Sequence, residues 1–218
     1  SGFTDLLLTD WEGQPGQQKL DLLKRVKSSA VVMANLLEDT LTVSTLEAHG
    51  AQAAPSEVRV DLVVHEVLGM LSASLTSVDL AGLAPVTAWV DRSHVTQVVT
   101  NLLTNAIKYG SGVVSVTTEQ LASGVRLRVS DHGAGVPPEF VAHLFDRFSR
   151  STEARSGGQR GSGLGLYIVK LLLELNGGQV AYTDTPGGGA TFTVSLASRT
   201  SVDEGAQPSS TASHPQPV

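Results

Sequence analysis

The sequence predicts an α+β fold, a two-layer α/β sandwich in which helices cover one face of a mixed, largely antiparallel sheet. Three observations predict it. Two segments, 92–109 and 164–176, carry apolar residues at helical spacing, while four others, 113–121, 125–131, 178–184 and 190–196, alternate apolar and polar residues as half-buried strands do. The alternating segments come in adjacent pairs across "ASG" and "TPGGG", which is a hairpin signal. Ahead of them lies a stretch that reads as helix alone, so the sandwich is expected to follow a partial helical hairpin.

Residues 1–50 are expected to be helical. "FTDLLLTDW" (3–11) is a short apolar stretch that "EGQPGQ" interrupts, because glycine and proline disfavour a helix interior. From about Lys19 to His49, Leu23, Val26, Ala30, Met33, Leu37 and Leu41 recur at three- and four-residue steps, and Gly50 is placed as a C′ cap. Such a helix suits an antiparallel hairpin in a bundle, or a core helix of a globular domain. Residues 51–57, with "AQAAPS", read as a linker. A sheet-and-helix domain is expected over 58–197. Within it "EVRVD" reads as a strand, "LVVHEVLGML" as a helix, and "LTSVDL" and "VTAWV" as strands. Asp91 is the candidate N-cap of the helix Arg92 to Tyr109. Residues 132–162 read as loop, and Gly177 closes the apolar helix "LGLYIVKLLLELN". From about Ser198 to Val218 the chain is rich in Ser, Pro and Gln, and is expected to be a disordered tail.

Bulk properties narrow the function. With 218 residues and 41% hydrophobic content the chain can bury one ordinary core plus an appendage. A formal net charge of −6 argues against a general nucleic-acid surface. The absence of cysteine excludes disulfides and thiolate metal sites and fits a reducing compartment. No apolar run approaches the roughly 18 residues of a membrane span, so attachment to a membrane is expected only through regions outside this sequence. The chain begins at Ser1 in a segment that already reads as mid-helix, so it is expected to be a portion of a longer protein.

The chemistry concentrates in three segments. In "NLLTNAIKY", Asn101 and Asn105 stand at i and i+4 on one helix face, and Lys108 lies near the same line. Core packing does not call for amides there. Amide oxygens suit a hard cation such as Mg²⁺ and a lysine suits phosphate; equally, the asparagines could bond neighbouring backbone groups. In "DHGAGV", Asp131 ends a strand and Gly133 and Gly135 let backbone pass close to a flat ligand. A carboxylate there can accept a hydrogen bond from an exocyclic amine. In "GSGLGL" (161–166), three glycines precede a helix N-terminus, a recurrent phosphate cradle. The dinucleotide fingerprint fits poorly, since no parallel βαβ unit with a downstream acid frames this loop.

Together with "FDRF", these segments resemble, in order and spacing, the N, G1, F and G2 boxes of sensor histidine kinases, which are members of the Bergerat-fold (GHKL) ATPases. The resemblance covers about Arg59 to Leu196. Upstream, "FTDLLLTDWEG" and "MANLLEDTLTVSTLEAHG" resemble the ends of the two helices of the family's dimerisation and phosphoacceptor hairpin. The resemblance implies ATP and Mg²⁺ as cofactors. Asn105 would ligate Mg²⁺, with Asn101 beside it. Lys108 would contact phosphate and Tyr109 would pack by the nucleotide. Asp131 would accept the adenine amino group, with Gly133 and Gly135 shaping that wall. Gly161, Gly163 and Gly165, with Leu164 and Leu166 between and after them, would close over the phosphates. Arg150 would reach the γ-phosphate, and residues 149–160 would form a lid. Asn101, Asn105, Lys108 and Arg150 are thus the expected catalytic set. The implied partners are a response-regulator receiver domain and, through the hairpin, a second copy of the chain, with this portion in the cytoplasm.

Departures from the family pattern shape the remaining expectations. No histidine here is followed by Glu/Asp, Leu, Arg, Thr and Pro. His65-Glu66 continues as Val67-Leu68-Gly69 and lies beyond the linker. His49, His94, His132, His143 and His214 lack the context as well, so the acceptor histidine is expected roughly ten residues before Ser1 by the alignment of the hairpin. Ala190 stands after the last glycine of "TPGGG", where many relatives carry Ser or Thr. Two other functions compete with the kinase reading: an anti-sigma-factor-type serine kinase, and a catalytically silent nucleotide-binding or dimerisation module.

Overall fold

A computed structural model describes residues 16–48, 52–71, 77–150 and 161–197. Helix α1 (Gly16–Ala48) leads into strand β1 (Ser56–Arg59), helix α2 (Val60–Leu71) and strands β2 (Val78–Asp79) and β3 (Thr87–Val90). Helix α3 (Arg92–Tyr109) follows, then the pair β4 (Val114–Leu121) and β5 (Gly124–Ser130). The chain continues through the short helix α4 (Pro138–Val141), helix α5 (Gly165–Leu175) and the closing pair β6 (Gln179–Asp184) and β7 (Ala190–Ala197).

The main sheet has the order β2-β4-β5-β7-β6, and β1 pairs with β3 in a small second sheet. All pairings are antiparallel except β2 with β4, which is parallel. The mixed sheet follows from the side chains. On β5, Val125, Leu127 and Val129 are buried while Arg126 and Arg128 alternate with them on the other face. Val116 of β4 and Phe192, Val194 and Leu196 of β7 extend the same apolar face. Against it lie α3, through Val99, Leu102 and Leu103, and α5, through Ile168, Val169, Leu172 and Leu173, all part of one continuous core. Burial of that face is the main driving force for the two-layer arrangement.

Helix ends are set locally. Asp91 caps α3, accepting from the N–H groups of Ser93 (2.9 Å) and His94 (3.3 Å). Burial alone would raise the Asp91 carboxyl. The Ser93 hydroxyl, the Ala54 N–H and nearby His94 outweigh it and hold the carboxyl at about 2. At the same end of the layer, where Asn176 Oδ1 accepts the Asp91 N–H (2.8 Å), Gly178 N–H reaches Leu173 O (2.8 Å) and Gly177, at φ 65°, bonds Glu174 O, a Schellman closure of α5.

Three local expectations change. "EVRVD" stops being a strand at Arg59, and Val60 and Asp61 open α2. The reason is Asp61, which is buried and takes the Arg59 guanidinium on both oxygens (2.8 and 2.6 Å) as well as the Val86 N–H. That charge-assisted pair holds the Asp61 carboxyl below its ordinary range. "LTSVDL" contributes only Val78–Asp79 as strand among the described residues, because the Asp79 carboxylate accepts the Ala81 N–H (2.9 Å) and turns the chain. The loop-rich stretch contains α4, opened by Pro138. The segment "FTDLLLTDW", Gly50, most of the expected lid (151–160), the tail from Ser198, His49 and His214 lie outside the described residues.

Helix α1 begins at Gly16, three residues before the expected start, and its stripe is uncovered. Leu23, Met33, Leu37 and Leu41 are exposed, whereas Val43 near its end is fully buried against the sandwich. No helix among the described residues is long and apolar enough to cross a membrane.

Candidate nucleotide site

A cleft of about 570 Å³ opens between α3, the segment after β5 and the N-terminus of α5, a size suited to a small-molecule ligand. Its polar wall comes from one face of α3, where the buried residues Val95, Val98, Val99, Leu102, Leu103 and Ala106 turn inward and leave Asn101, Asn105 and Lys108 toward the opening. The Asn101 amide N–H donates to Gly165 O (3.3 Å), tying α3 to the start of α5. Asn105 lines the cleft, and among the described residues its side-chain amide has no hydrogen-bond partner. Lys108 donates to the Tyr109 hydroxyl (3.0 Å) and sits 4.7 Å from the centre of that ring.

At the opposite end Asp131 is 4% exposed. Its Oδ1 accepts two backbone N–H groups, from Gly133 (2.8 Å) and Ala190 (3.3 Å). Two bonds on one oxygen fix the carboxylate and leave Oδ2 to the cleft. Gly133 must be glycine for packing, since a Cβ there would stand 2.2 Å from the Tyr109 carbonyl oxygen. Val136, Pro137, Phe140, Leu144 and Phe192 give this end an apolar wall. Behind it Tyr182 accepts the Val136 N–H (3.2 Å), donates to Asp184 (2.5 Å) and leans on Phe192. Burial, then the Asp184 hydrogen bond, push the Tyr182 phenol up.

The third side is the loop 161–165. Gly161 allows Lys108 to approach, as a Cβ there would lie 2.4 Å from its Nζ, and Gly163 adopts φ 73° beside Phe148 and Ser149. Arg150 also borders the cleft.

Of the expected site residues, Asn101, Asn105, Lys108, Tyr109, Asp131, Gly135, Arg150, Gly161, Gly163, Gly165 and Leu166 line this single cleft. Two do not. Leu164 is fully buried in the core, and Gly133, half-buried, is not among the lining residues and acts on Asp131 through its N–H. The sequence reading missed Ser162, whose hydroxyl accepts the Leu164 N–H (3.1 Å), and the α1 residues Asn35, Glu38 and Asp39 that reach the rim. A serine two residues ahead of a helical stretch was the legible signal for the first; nothing local marks the others. The four described histidines lie off the cleft and have local partners: His65 donates to Asp61 O, His132 to Val113 O and His143 to Asp146, while His94 accepts from Asn176.

Residues 90–200 match the family model described as "Histidine kinase-, DNA gyrase B-, and HSP90-like ATPase". A "Probable sensor histidine kinase HK" of Mycobacterium tuberculosis is 30% identical over 183 residues, covering 84% of this chain and 48% of that protein. The "Sensor histidine kinase component HK1" of the same species is 35% identical over 134 residues, covering 62% of this chain and 79% of its own length. This chain therefore spans about half of the first relative and most of the second. In fold it is similar to the Acinetobacter baumannii histidine kinase AdeS, with a TM-score of 0.70 at 23% identity over 91% of this chain and 93% of that one. The chain belongs to the family of histidine kinase-, DNA gyrase B- and HSP90-like ATPases, and its sandwich is the ATP-binding domain of that family.

Proposed function

We propose that this chain is the ATP-binding catalytic portion of a sensor histidine kinase, which transfers the γ-phosphoryl of ATP to a histidine of a dimerisation hairpin and onward to an aspartate of a response-regulator receiver domain. One observation carries the reading: the amide-bearing face of α3, the Asp131 carboxylate and the 161–165 loop border one cleft. In this reading Asp131 Oδ2 accepts the adenine amino group, with the Phe192 wall against the base. Lys108 and the N–H groups of the glycine loop hold the phosphates, helped by the α5 dipole. Arg150 neutralises charge at the far phosphate.

The donor set fits a divalent cation, because Asn105 offers an amide oxygen without a competing partner among the described residues and Asn101 stands beside it. Mg²⁺ held there would neutralise phosphate charge during transfer. The chain's own contribution is positioning and charge compensation, which is most of what phosphoryl transfer asks of a protein. No histidine lines the cleft among the described residues, so the acceptor enters from a hairpin. The exposed stripe Leu23, Met33, Leu37 and Leu41 of α1 supports pairing through that hairpin. The division into a hairpin part (1–50), linker (51–57), catalytic domain (58–197) and tail (198–218), with this portion in the cytoplasm where ATP is at hand, belongs to the same proposal.

The test is radiolabel transfer from γ-labelled ATP to an added hairpin polypeptide bearing a His-Glu-Leu-Arg-Thr-Pro segment. Acid-labile label on that histidine is expected. Nucleotide binding without any label on the hairpin would instead make the chain a silent nucleotide-binding module.

A further inference from the structure

Helix α1 docks on the catalytic sandwich through one face, and carboxylates dominate the contact. The Asp39 carboxylate accepts the Ser162 hydroxyl at 2.6 Å, and that hydroxyl accepts the Leu164 N–H. Glu38, one residue earlier, lines the same cleft. Two turns later Glu47 accepts the Tyr167 hydroxyl at 2.7 Å on Oε1 and the Arg147 guanidinium at 3.3 Å on Oε2. That contact raises the Tyr167 phenol, chiefly through the Glu47 hydrogen bond. Between the two carboxylate contacts Val43 is fully buried and Leu46 packs on the core. Positions 39, 43 and 47 fall at four-residue steps, so among the described residues these contacts come from one helix face.

The place where Asp39 attaches matters. Ser162 sits between Gly161 and Gly163, in the loop that favours an anion through its N–H groups, the α5 dipole and nearby Lys108. An anionic side chain of α1 already bonds that loop. A triphosphate entering the cleft brings several negative charges to the same place and faces both Glu38 and Asp39. Like charges at such range in a partly desolvated cleft repel. We propose that α1 is a latch on the phosphate loop: Asp39 holds the loop as an internal anion through Ser162, Glu47 secures the helix to Tyr167 and Arg147, and a nucleotide triphosphate displaces Asp39 and releases α1. The proposal rests on the ATP-site reading above and adds to it a conformational consequence of binding. Binding linkage requires the converse as well: anything that weakens the latch must strengthen triphosphate binding, by up to the same factor.

The test uses the whole chain, whose lack of cysteine permits clean labelling. Spin labels go on Ser44→Cys in α1 and Gln179→Cys at the start of β6, both exposed positions. The distance between them is measured without ligand, with Mg·ATP and with adenosine. Mg·ATP is expected to lengthen and broaden it, and adenosine, lacking phosphates, to leave it unchanged. Calorimetric titration of Asp39→Asn is expected to give about three- to tenfold tighter ATP binding, with adenosine binding unaltered. Glu47→Gln, which does not touch the cleft, is expected to tighten ATP binding too, because it weakens the same docking. Melting curves show that each variant is folded. If ATP binds but the label distance stays put and neither variant tightens binding, the latch is overturned while the ATP site stands. Weaker Mg·ATP binding by Asp39→Asn also overturns it, since the carboxylate would then be helping to hold the cation. If neither wild type nor variants bind ATP, the site reading fails and takes the latch with it.

Discussion

Replacing Asp131 by asparagine isolates the base-recognition claim. The carboxylate is 4% exposed, and its Oδ1 already takes the N–H groups of Gly133 and Ala190 at 2.8 and 3.3 Å. In Asp131→Asn those two donors still need an acceptor, so the amide oxygen keeps the Oδ1 position and the NH₂ group turns to the cleft. An acceptor there becomes a donor, facing the exocyclic amine of adenine. The lost hydrogen bond to a charged group corresponds to about 1.5–3 kcal/mol. At about 1.4 kcal/mol per factor of ten, ATP affinity should fall about 10- to 150-fold. GTP presents a carbonyl oxygen at the equivalent position and should lose nothing. The ATP-to-GTP preference therefore drops by the same factor or inverts. Calorimetric titration of both nucleotides reads it, with thermal melting as the folding control. A folded variant with an unchanged ATP-to-GTP ratio would refute the role given to Asp131.

Three other predictions follow from neighbouring geometry. Asn105→Ala should weaken Mg·ATP binding or abolish transfer while leaving the melting temperature near wild type, because the Asn105 side chain has no hydrogen bond to lose among the described residues; unchanged affinity and transfer would contradict its assignment. Gly161→Ala puts a Cβ 2.4 Å from Lys108 Nζ, the mobile end of a side chain, so the ammonium should shift rather than the fold. ATP affinity is then expected to fall and adenosine affinity to hold, and equal losses for both ligands would count against a phosphate contact by Lys108. Asp91→Ala removes the cap of α3 and its bond to the linker at Ala54, at a cost of about 1–2 kcal/mol near neutral pH. The folded carboxyl lies at about 2 against an ordinary 3.8, so its stabilisation is present above 3.8 and lost as pH falls toward 2. Denaturant titrations of both proteins should converge in acid, and a gap independent of pH would disprove the cap's electrostatic part.

What could be read from the sequence was whatever a short window determines. Helix α3 has its boundaries at Arg92 and Tyr109 as expected, because Asp91 supplies a local cap and the buried positions recur at helical steps. The β4–β5 and β6–β7 pairs were legible for the same reason, since alternation and a glycine-bearing turn lie in adjacent residues. Helix α4 was not, as four residues without an apolar stripe carry no periodicity. The end of β1 depended on Val86, 25 residues from Asp61. At the cleft, the motif residues were recognisable because each motif is contiguous. Asp39 was not, because its partner Ser162 lies 123 residues away and nothing in "LLEDT" distinguishes a docking carboxylate from a solvated one. Leu164 shows the converse: it sits inside a binding motif, yet its side chain belongs to the core and its backbone N–H bonds within the loop.

Nucleotide binding in the cleft between α3 and the two glycine-bearing segments is the central claim. Titration of isotope-labelled protein with Mg·ATP, followed by NMR, measures that most directly. The backbone signals of Gly133 and Gly163 and the side-chain amide signals of Asn101 and Asn105 should move together and saturate at one common concentration, while Arg126 and Arg128 on the far face of the sheet stay still. Unmoved cleft signals at saturating nucleotide, or shifts confined to another surface, would contradict it.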